Sequence, residues 1–302
     1  KIVYNMPPPF TNEFSYISLN RPSNFTQQQE LMVNLGGSET NLILTDVMRK
    51  NILLENRFNY NFGLAYLYGS NDMPGYTAFV SNPYSDPNSY RRNINMLYGS
   101  ESLTKDKMLV YSLIAQLTDP MNFYAFKSVF YDYIIKGKHS SKVGMINLGN
   151  KLKYLPRYRF EYTPYGPELV YQNYFKLDSK LLLLSFSHSD PALPNSKRFA
   201  TTIWNIKPTN HLSFNLSGQV WNQPYIQFYK SDELLVSEGF GGLLLTTANY
   251  DLNINKHFYG FTIQLGYKST GFALGEKLDK GIIFRARMTF KLENKSPTPP
   301  VK

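Results

Sequence analysis

A short serine-rich stretch around His188 is the part of the sequence whose residue types suggest nucleophilic chemistry. Hydroxyl, imidazole and carboxylate groups can carry acyl transfer when they converge in space. On an extended strand, however, Ser187 and Ser189 point to the face opposite His188, so neither can be its partner. A nucleophile would have to come from a neighbouring strand, with Thr202 or Ser213 as candidates. We therefore predict no catalytic residue here and keep a hydrolase that uses His188 as an alternative.

Motifs for metal or nucleotide binding do not occur in the sequence. The 4 histidines include no pair four residues apart, and there is no cysteine to supply a thiolate ligand. The glycine-rich segment 239–242 leads into a predicted strand, whereas the phosphate-binding loops of nucleotide enzymes lead into a helix. We predict that the protein is not an enzyme and binds neither a metal nor a cofactor.

Basic residues are a stronger functional indication, because they recur at alternate positions of predicted strands. Arg157 and Arg159 share one face of a strand, and Arg285 and Arg287 share one face of another. Two interpretations remain open. If the strands enclose a lumen, these residues could make it selective for anions. They could instead pair with Glu161, Asp251 and helix carboxylates in a filled interior. The whole polar face is predicted to carry Arg57, Arg157, Arg159, Glu161, Gln219, Asp251, Gln264, Arg285, Arg287 and Lys291.

The opposite face of the same strands is apolar and rich in aromatic residues. The alternation is clearest in 257–267 and 282–292, and it also extends along 57–68, which has the length of a tilted membrane strand. The outward apolar set is predicted to include Phe58, Tyr60, Tyr158, Phe160, Tyr259, Phe261, Phe284 and Phe290.

These alternating runs predict 12 to 14 antiparallel strands. Besides the runs above, they comprise 10–19, 75–81, 156–163, 167–177, 180–188, 198–206, 211–221, 224–230 and 240–252, with 30–35 and 41–46 as weaker candidates.

A helical hairpin over 104–136 is expected to interrupt the strands. Asp119 suits an N-cap, Pro120 the first helical position and Gly137 the stop after the second helix. The proline-rich tail 293–302 is expected to be disordered, so that 1–292 forms one domain.

Composition is compatible with an envelope protein that crosses a membrane with strands. Aromatic residues make up 16% of the 302 residues, the mean hydropathy is -0.35, and no apolar run of about 20 residues occurs. The formal net charge is +10, with the charges dispersed singly, which is typical of solvated positions. The alternative is contact with the phosphates of outer-leaflet glycolipid, and we predict no nucleic-acid partner. Because the first residues do not read as a secretory signal, we assume that a signal peptide has been removed.

The tyrosine-rich alternating strands of 140–177 and 256–292, with an aromatic strand near the end, resemble Gram-negative outer-membrane β-barrels in general. The resemblance implies an all-β dominated transmembrane antiparallel barrel with a helical insert, located in the bacterial outer membrane. Its polar face would line the lumen and its apolar face would contact lipid. We expect either a plugged subunit of an envelope complex or a channel for small anionic solutes, with lipids, glycolipid and other envelope proteins as partners. The alternatives are a barrel-borne lipid or glycan hydrolase and a soluble all-β glycan-binding protein.

Overall fold

An antiparallel sheet of nine strands makes up the second half of the chain, and a group of helices makes up the first half. The structure, a computed structural model, describes residues 2–3, 16–17, 23–79, 82–99, 101–254 and 257–292. The predicted strand 10–19 and tail 293–302 lie largely or wholly outside these residues.

The sheet is a meander in which every strand pairs with its neighbour in sequence. Its edge strands are β5 and β13, and among the described residues these edges do not pair with each other. The strands are β5 (Ile146–Asn147), β6 (Leu152–Thr163), β7 (Gly166–Leu177), β8 (Lys180–Ser189), β9 (Lys197–Ile206), β10 (Leu212–Lys230), β11 (Glu233–Ile254), β12 (His257–Lys268) and β13 (Gly281–Leu292).

The helical half runs from residue 27 to residue 135 and is joined to the sheet by short strands. Two further short strands, β1 (Ile2–Val3) and β2 (Tyr16–Ile17), pair with each other near the N-terminus. The elements between are α1 (Gln27–Glu55), β3 (Arg57–Asn59), α2 (Tyr60–Phe79), α3 (Asp86–Tyr98), α4 (Lys105–Leu117), α5 (Pro120–Phe126), a π-helix (Lys127–Ile135) and β4 (Ser140–Lys142), which pairs with β3.

Four predicted strands are wrong, because 30–35 and 41–46 lie in α1, while 60–79, which contains most of 57–68 and of 75–81, forms α2. The aromatic and apolar residues of 57–68 recur every two residues, and a spacing of two also places residues four apart, as a helix face requires. Tyr66, for example, is buried in the helical core beside Phe58. The predicted 211–221 and 224–230 also merge into the single strand β10, which shows an irregularity between Gln223 and Ile226. These changes reduce the strand number of the sheet to nine.

The predicted helices of 104–136 are confirmed, although each packs against α2 more than against the other. The side chain of Asp119 accepts a hydrogen bond from the backbone N–H of Met121, at 2.9 Å, and so caps α5. Gly137 has φ +64° and donates its N–H to the carbonyl of Tyr133, which ends the π-helix.

Helix α1 runs along one face of the sheet, which we call the inward face, from one end of the strands to the other. Near its start, Thr26 and Gln29 form a capping box and also contact the backbone of β10 at Gln227 and Tyr229. At its other end, Lys176 of β7 donates to the carbonyls of Leu53 and Leu54, at 2.7 and 2.8 Å.

The sheet curls around α1, since this one helix contacts β6, β8 and β10 and shares a groove with β13. Neighbouring strands lie about 4.8 Å apart, so a flat sheet would place β6 and β13 more than about 30 Å from each other. A helix with side chains is about 10–12 Å wide and could not reach both.

The connections differ in length between the two ends of the sheet. At the end near the start of α1, residues 190–196 and 269–280 form long loops, and the β10–β11 hairpin extends beyond its neighbours. At the other end, 178–179 and 207–211 make short links. We call these the long-loop end and the short-turn end.

Candidate functional surface and charged interior

The outward face of the sheet is apolar across all of its long strands. In an antiparallel sheet, directly paired residues point to the same face. One row of paired residues crosses eight strands and consists of Phe284, Leu265, Thr246, Leu216, Ile203, Leu182, Phe175 and Tyr154.

Large apolar side chains on this face are exposed to an extent that is unusual for a water-soluble surface. Phe284 is 65% exposed, Leu265 52% and Ile282 82%. Soluble monomers rarely expose contiguous apolar patches beyond a few hundred Å², because such surface is costly in water. Exposed apolar patches of this extent are typical of surfaces that contact a membrane or another protein. Other exposed members on the outward face of β10 to β13 include Leu216, Val220, Phe240, Leu244, Tyr250, Phe261, Ile263, Tyr267, Met288 and Phe290.

Aromatic residues on the outward face form clusters at two levels, and Phe284, Phe175 and Tyr154 lie in the row between them. Toward the long-loop end, a row of four paired aromatic residues crosses β6 to β9, and its first two rings are 4.8 Å apart. Toward the short-turn end, Tyr259 meets Phe290 edge to face at 5.5 Å, and Phe261 pairs with Tyr250. Aromatic side chains at both rims of an apolar band are typical of membrane-facing strands. The four-residue row consists of Tyr158, Tyr171, Phe186 and Phe199.

Three residues predicted to lie exposed on the outward apolar face do not do so. Phe58 is 0% exposed and packs with α2, because the strand that contains it has only three residues. Tyr60 begins α2, where its ring stacks on Tyr133 at 3.8 Å. Phe160 does point outward from β6, but Tyr111 of α4 covers it, with the ring centroids 5.3 Å apart.

The inward face carries both apolar and charged residues. Leu155, Tyr174 and Leu181 pack in an apolar cluster with the helices, whereas Arg157, Arg159 and Glu161 of β6 lie in a buried network of ion pairs. Arg159 bridges Asp46 of α1 and Glu161, and the latter contact is 2.6 Å long. Arg157 lies 3.4 Å from Asp46 and 3.5 Å from Asp119. These arginines therefore have helix carboxylates as partners, and none is free to meet a solute.

The network extends in both directions along the interior. Glu161 contacts Arg198 at 3.0 Å, and Arg198 contacts Glu168 at 2.7 Å. At the helical end, Asp119 pairs with Arg49, whose guanidinium also lies over the rings of Tyr66 and Tyr174, at 5.3 and 5.7 Å. Formal charge balances, because the four arginines face two aspartates and two glutamates: Arg49, Arg157, Arg159, Arg198, Asp46, Asp119, Glu161 and Glu168.

Charges that are paired in this way hold α1 and α5 against the sheet and leave little net field along β6 to β9. A buried pair recovers its desolvation cost only when further hydrogen bonds satisfy both partners. Glu168 meets this condition, since Ser187, Ser196 and Tyr165 donate to it at 2.7, 2.5 and 2.9 Å. This part of the interior is therefore a tie between helices and sheet.

The remaining predicted polar residues are dispersed. Arg57 is exposed in β3, outside the nine-stranded sheet. Gln219 and Gln264 are half-buried on the inward face, and Gln264 accepts from Arg285 at 2.8 Å. Arg285 pairs with Glu276, and Arg287 and Asp251 line a groove at the short-turn end. The side chain of Lys291 lies outside the described residues.

His188 has no hydroxyl partner in the described part of the chain. Its Nδ1 lies 3.0 Å from the carbonyl oxygen of Ser189, and its cross-strand neighbours are Leu169 and Lys197. The candidate nucleophiles are engaged on the inward face, with Thr202 2.9 Å from Ser217 and Ser213 near Asn249. This arrangement gives no support to a hydrolase that uses His188.

Among the described residues, no three histidine, aspartate or glutamate side chains come together as a possible metal site. No helix within the described ranges is both long enough and apolar enough to cross a bilayer. Comparison with models of protein families, with curated proteins and with solved structures finds no match.

Proposed function

We propose that the protein is a non-enzymatic component of a bacterial outer membrane, in which its sheet forms the wall of a transmembrane antiparallel barrel. The exposed apolar outward face, bounded by two levels of aromatic side chains, carries this proposal. The lengths of β6 to β9, 10 to 12 residues, suit tilted strands that cross a hydrocarbon layer, and the longest connections, 190–196 and 269–280, lie at one end of the sheet.

We further propose that the interior is plugged, so that the protein serves as a subunit of an envelope assembly. Helix α1 occupies the inward face of the sheet along its length, and the neutral ion-pair network fastens it there. A channel for small anions would need free cations along the passage. On β6, Arg157 and Arg159 are instead bound to Asp46. Lys50 and Arg287, which lack an ion-pair partner in the part of the chain that the structure describes, lie together at one end of the interior rather than along its length.

Two adjacent residues of β12 provide a matched test of the lipid-facing surface. Leu265 points outward and is 52% exposed, whereas Gln264 is half-buried on the inward face. In a membrane, Leu265→Arg should cost about 2–4 kcal/mol near the midplane, while Gln264→Arg should cost much less. Folding into phosphatidylcholine vesicles, followed by heat-dependent mobility on a gel, measures the difference.

Equal folding of the two variants into vesicles would contradict the proposal. So would a wild-type protein that stays monodisperse in water without detergent, since that behaviour would favour a soluble all-β binding protein.

Electrical recordings in planar bilayers test the plug separately. The wild-type protein should insert without a steady conductance, because α1 and its ion pairs fill the interior. A reproducible anion-selective current would instead support the pore.

A further inference from the structure

A polar groove opens at the short-turn end, between the second half of α1 and the inward faces of β9 to β13. Its volume is about 270 Å³, and it is separate from the buried ion-pair network. Two cationic side chains, Lys50 of α1 and Arg287 of β13, line it from opposite walls.

Lys50 and Arg287 differ from the inward-facing arginines described above because they have no ion-pair or hydrogen-bond partner among the described residues. Within the described ranges, neither Lys50 nor Arg287 makes an ion pair or a hydrogen bond, whereas Arg285, two residues away, is bound to Glu276. Asp251 also lines the groove but lies more than 4.0 Å from both cations, outside ion-pair range. Burial, and next the charge of Arg287, lower the pKa of the Lys50 ammonium below its ordinary value.

Two cations held near each other without a counter-ion repel each other, and an anion bound between them would replace that repulsion with attraction. Arg287 is exposed and Lys50 is half-buried, so the site is open to a solute. Lys and Arg are the side chains that commonly bind phosphate and carboxylate oxygens. An oxyanion is therefore the charge that fits this groove.

The rest of the lining indicates what carries the oxyanion. Thr262 donates to Asn249 at 3.1 Å, and Asn249 donates to Ser213 at 3.4 Å, which forms a chain of amides and hydroxyls along the wall. Asn205 and Asn215 also line the groove, where Asn215 Oδ1 accepts from the backbone N–H of Asn205 at 3.0 Å and the Asn205 amide donates to the carbonyl of Ser179. Trp204 is a further lining residue. Amides and hydroxyls match the hydroxyl groups of a sugar, and an aromatic ring offers a surface for its apolar side.

We propose that the groove between Lys50 and Arg287 binds a small phosphorylated sugar, with the phosphate between the two cations and the sugar ring against Trp204. The volume lies just below the range of about 300–1,000 Å³ that is usual for drug-sized ligands, which limits the ligand to about one sugar unit. This inference goes beyond the proposed membrane role and does not depend on what covers the outward face.

Glucose 6-phosphate, with glucose and inorganic phosphate as comparisons, provides the probe. The chain has only 2 tryptophans, Trp204 and Trp221, so fluorescence of a Trp221→Phe protein in detergent reports on the groove alone. We expect glucose 6-phosphate to change this fluorescence saturably and to bind more tightly than either comparison compound.

Lys50→Met and Arg287→Met should each raise the dissociation constant for glucose 6-phosphate by about tenfold or more, since each removes one charge-assisted contact. Arg285→Met, on the same strand but outside the groove, is the matched control and should bind as the parent protein does. Circular dichroism of each variant establishes that it is folded.

Three results would overturn the proposal. These are the absence of saturable binding, equal binding of glucose and glucose 6-phosphate, or equal binding of inorganic phosphate and glucose 6-phosphate. A folded Lys50→Met protein with unchanged affinity for glucose 6-phosphate would also contradict the proposal, because Lys50 would then not bind the phosphate. None of these results bears on the vesicle experiment with Leu265→Arg, so the two proposals fail independently.

Discussion

Arg49 of α1 and Asp119, the cap of α5, form an ion pair in which neither side chain is more than 2% exposed. The same carboxylate accepts from the hydroxyl of Tyr66 at 2.8 Å and lies 3.5 Å from Arg157. A single aspartate thus joins α1, α2 and α5 to the sheet.

We expect Asp119→Asn to destabilise the protein strongly, because it removes the negative charge between two buried arginines while preserving size and much of the capping. Breaking a buried pair by removing one partner costs about 3–5 kcal/mol. Glu276→Gln, which breaks the pair with the half-exposed Arg285, should cost less than about 1 kcal/mol. Urea denaturation in detergent measures both, and similar losses for the two variants would contradict this view of the interior.

Thr26→Ala should loosen the start of α1. The Thr26 side chain caps the helix and also donates to the carbonyl of Gln227, at 2.8 Å, so its loss removes both a cap and a tie to β10. Loss of a cap alone costs about 1 kcal/mol. Hydrogen exchange should accelerate in the first turns of α1 and remain unchanged near Leu53, which Lys176 holds. Uniform acceleration along the whole helix would argue against local anchoring.

Binding of glucose 6-phosphate should weaken as the pH rises, and at a lower pH than an ordinary lysine would produce. Lys50 is charged below its pKa and neutral above it, and its pKa is lowered by burial and by Arg287. The phosphate group stays largely dianionic above about pH 7, so its own titration contributes little there.

Lys50→Arg is the control for this pH dependence, since a guanidinium keeps its charge over the range. Affinity measured from about pH 7 to about pH 10 should fall for the wild-type protein and remain nearly constant for the variant. A parallel fall in both proteins would assign the titration to another group.

The sheet could be predicted from the sequence wherever one face of a strand is apolar and the other polar. Strands β12 and β13 appear within one or two residues of the expected bounds, because alternation over 12 residues has no equally good helical interpretation. The helical half was harder, because the spacing of aromatic residues in 57–68 satisfies both periods.

The partners of the inward charges could not be predicted from local pattern. Asp46 lies 111 residues before Arg157 in sequence. The pattern predicts a weak strand at 41–46, whereas Asp46 belongs to α1. The placement of Lys50 and Arg287 in one groove likewise depends on how the sheet curls around α1, and no motif in either segment predicts it.

The position of α1 in the chain has a consequence for the order of folding. This helix precedes every strand that surrounds it, and Thr26 meets its partner on β10 across 201 residues of sequence. Contacts between such distant segments form slowly, because long loops must close before any of them is gained. A sheet that curled fully without the helix would leave a charged interior with unpaired arginines. The folding route must therefore bring α1 and the curling strands together, and a chain that emerges N-terminus first has its interior helix available before its wall is complete.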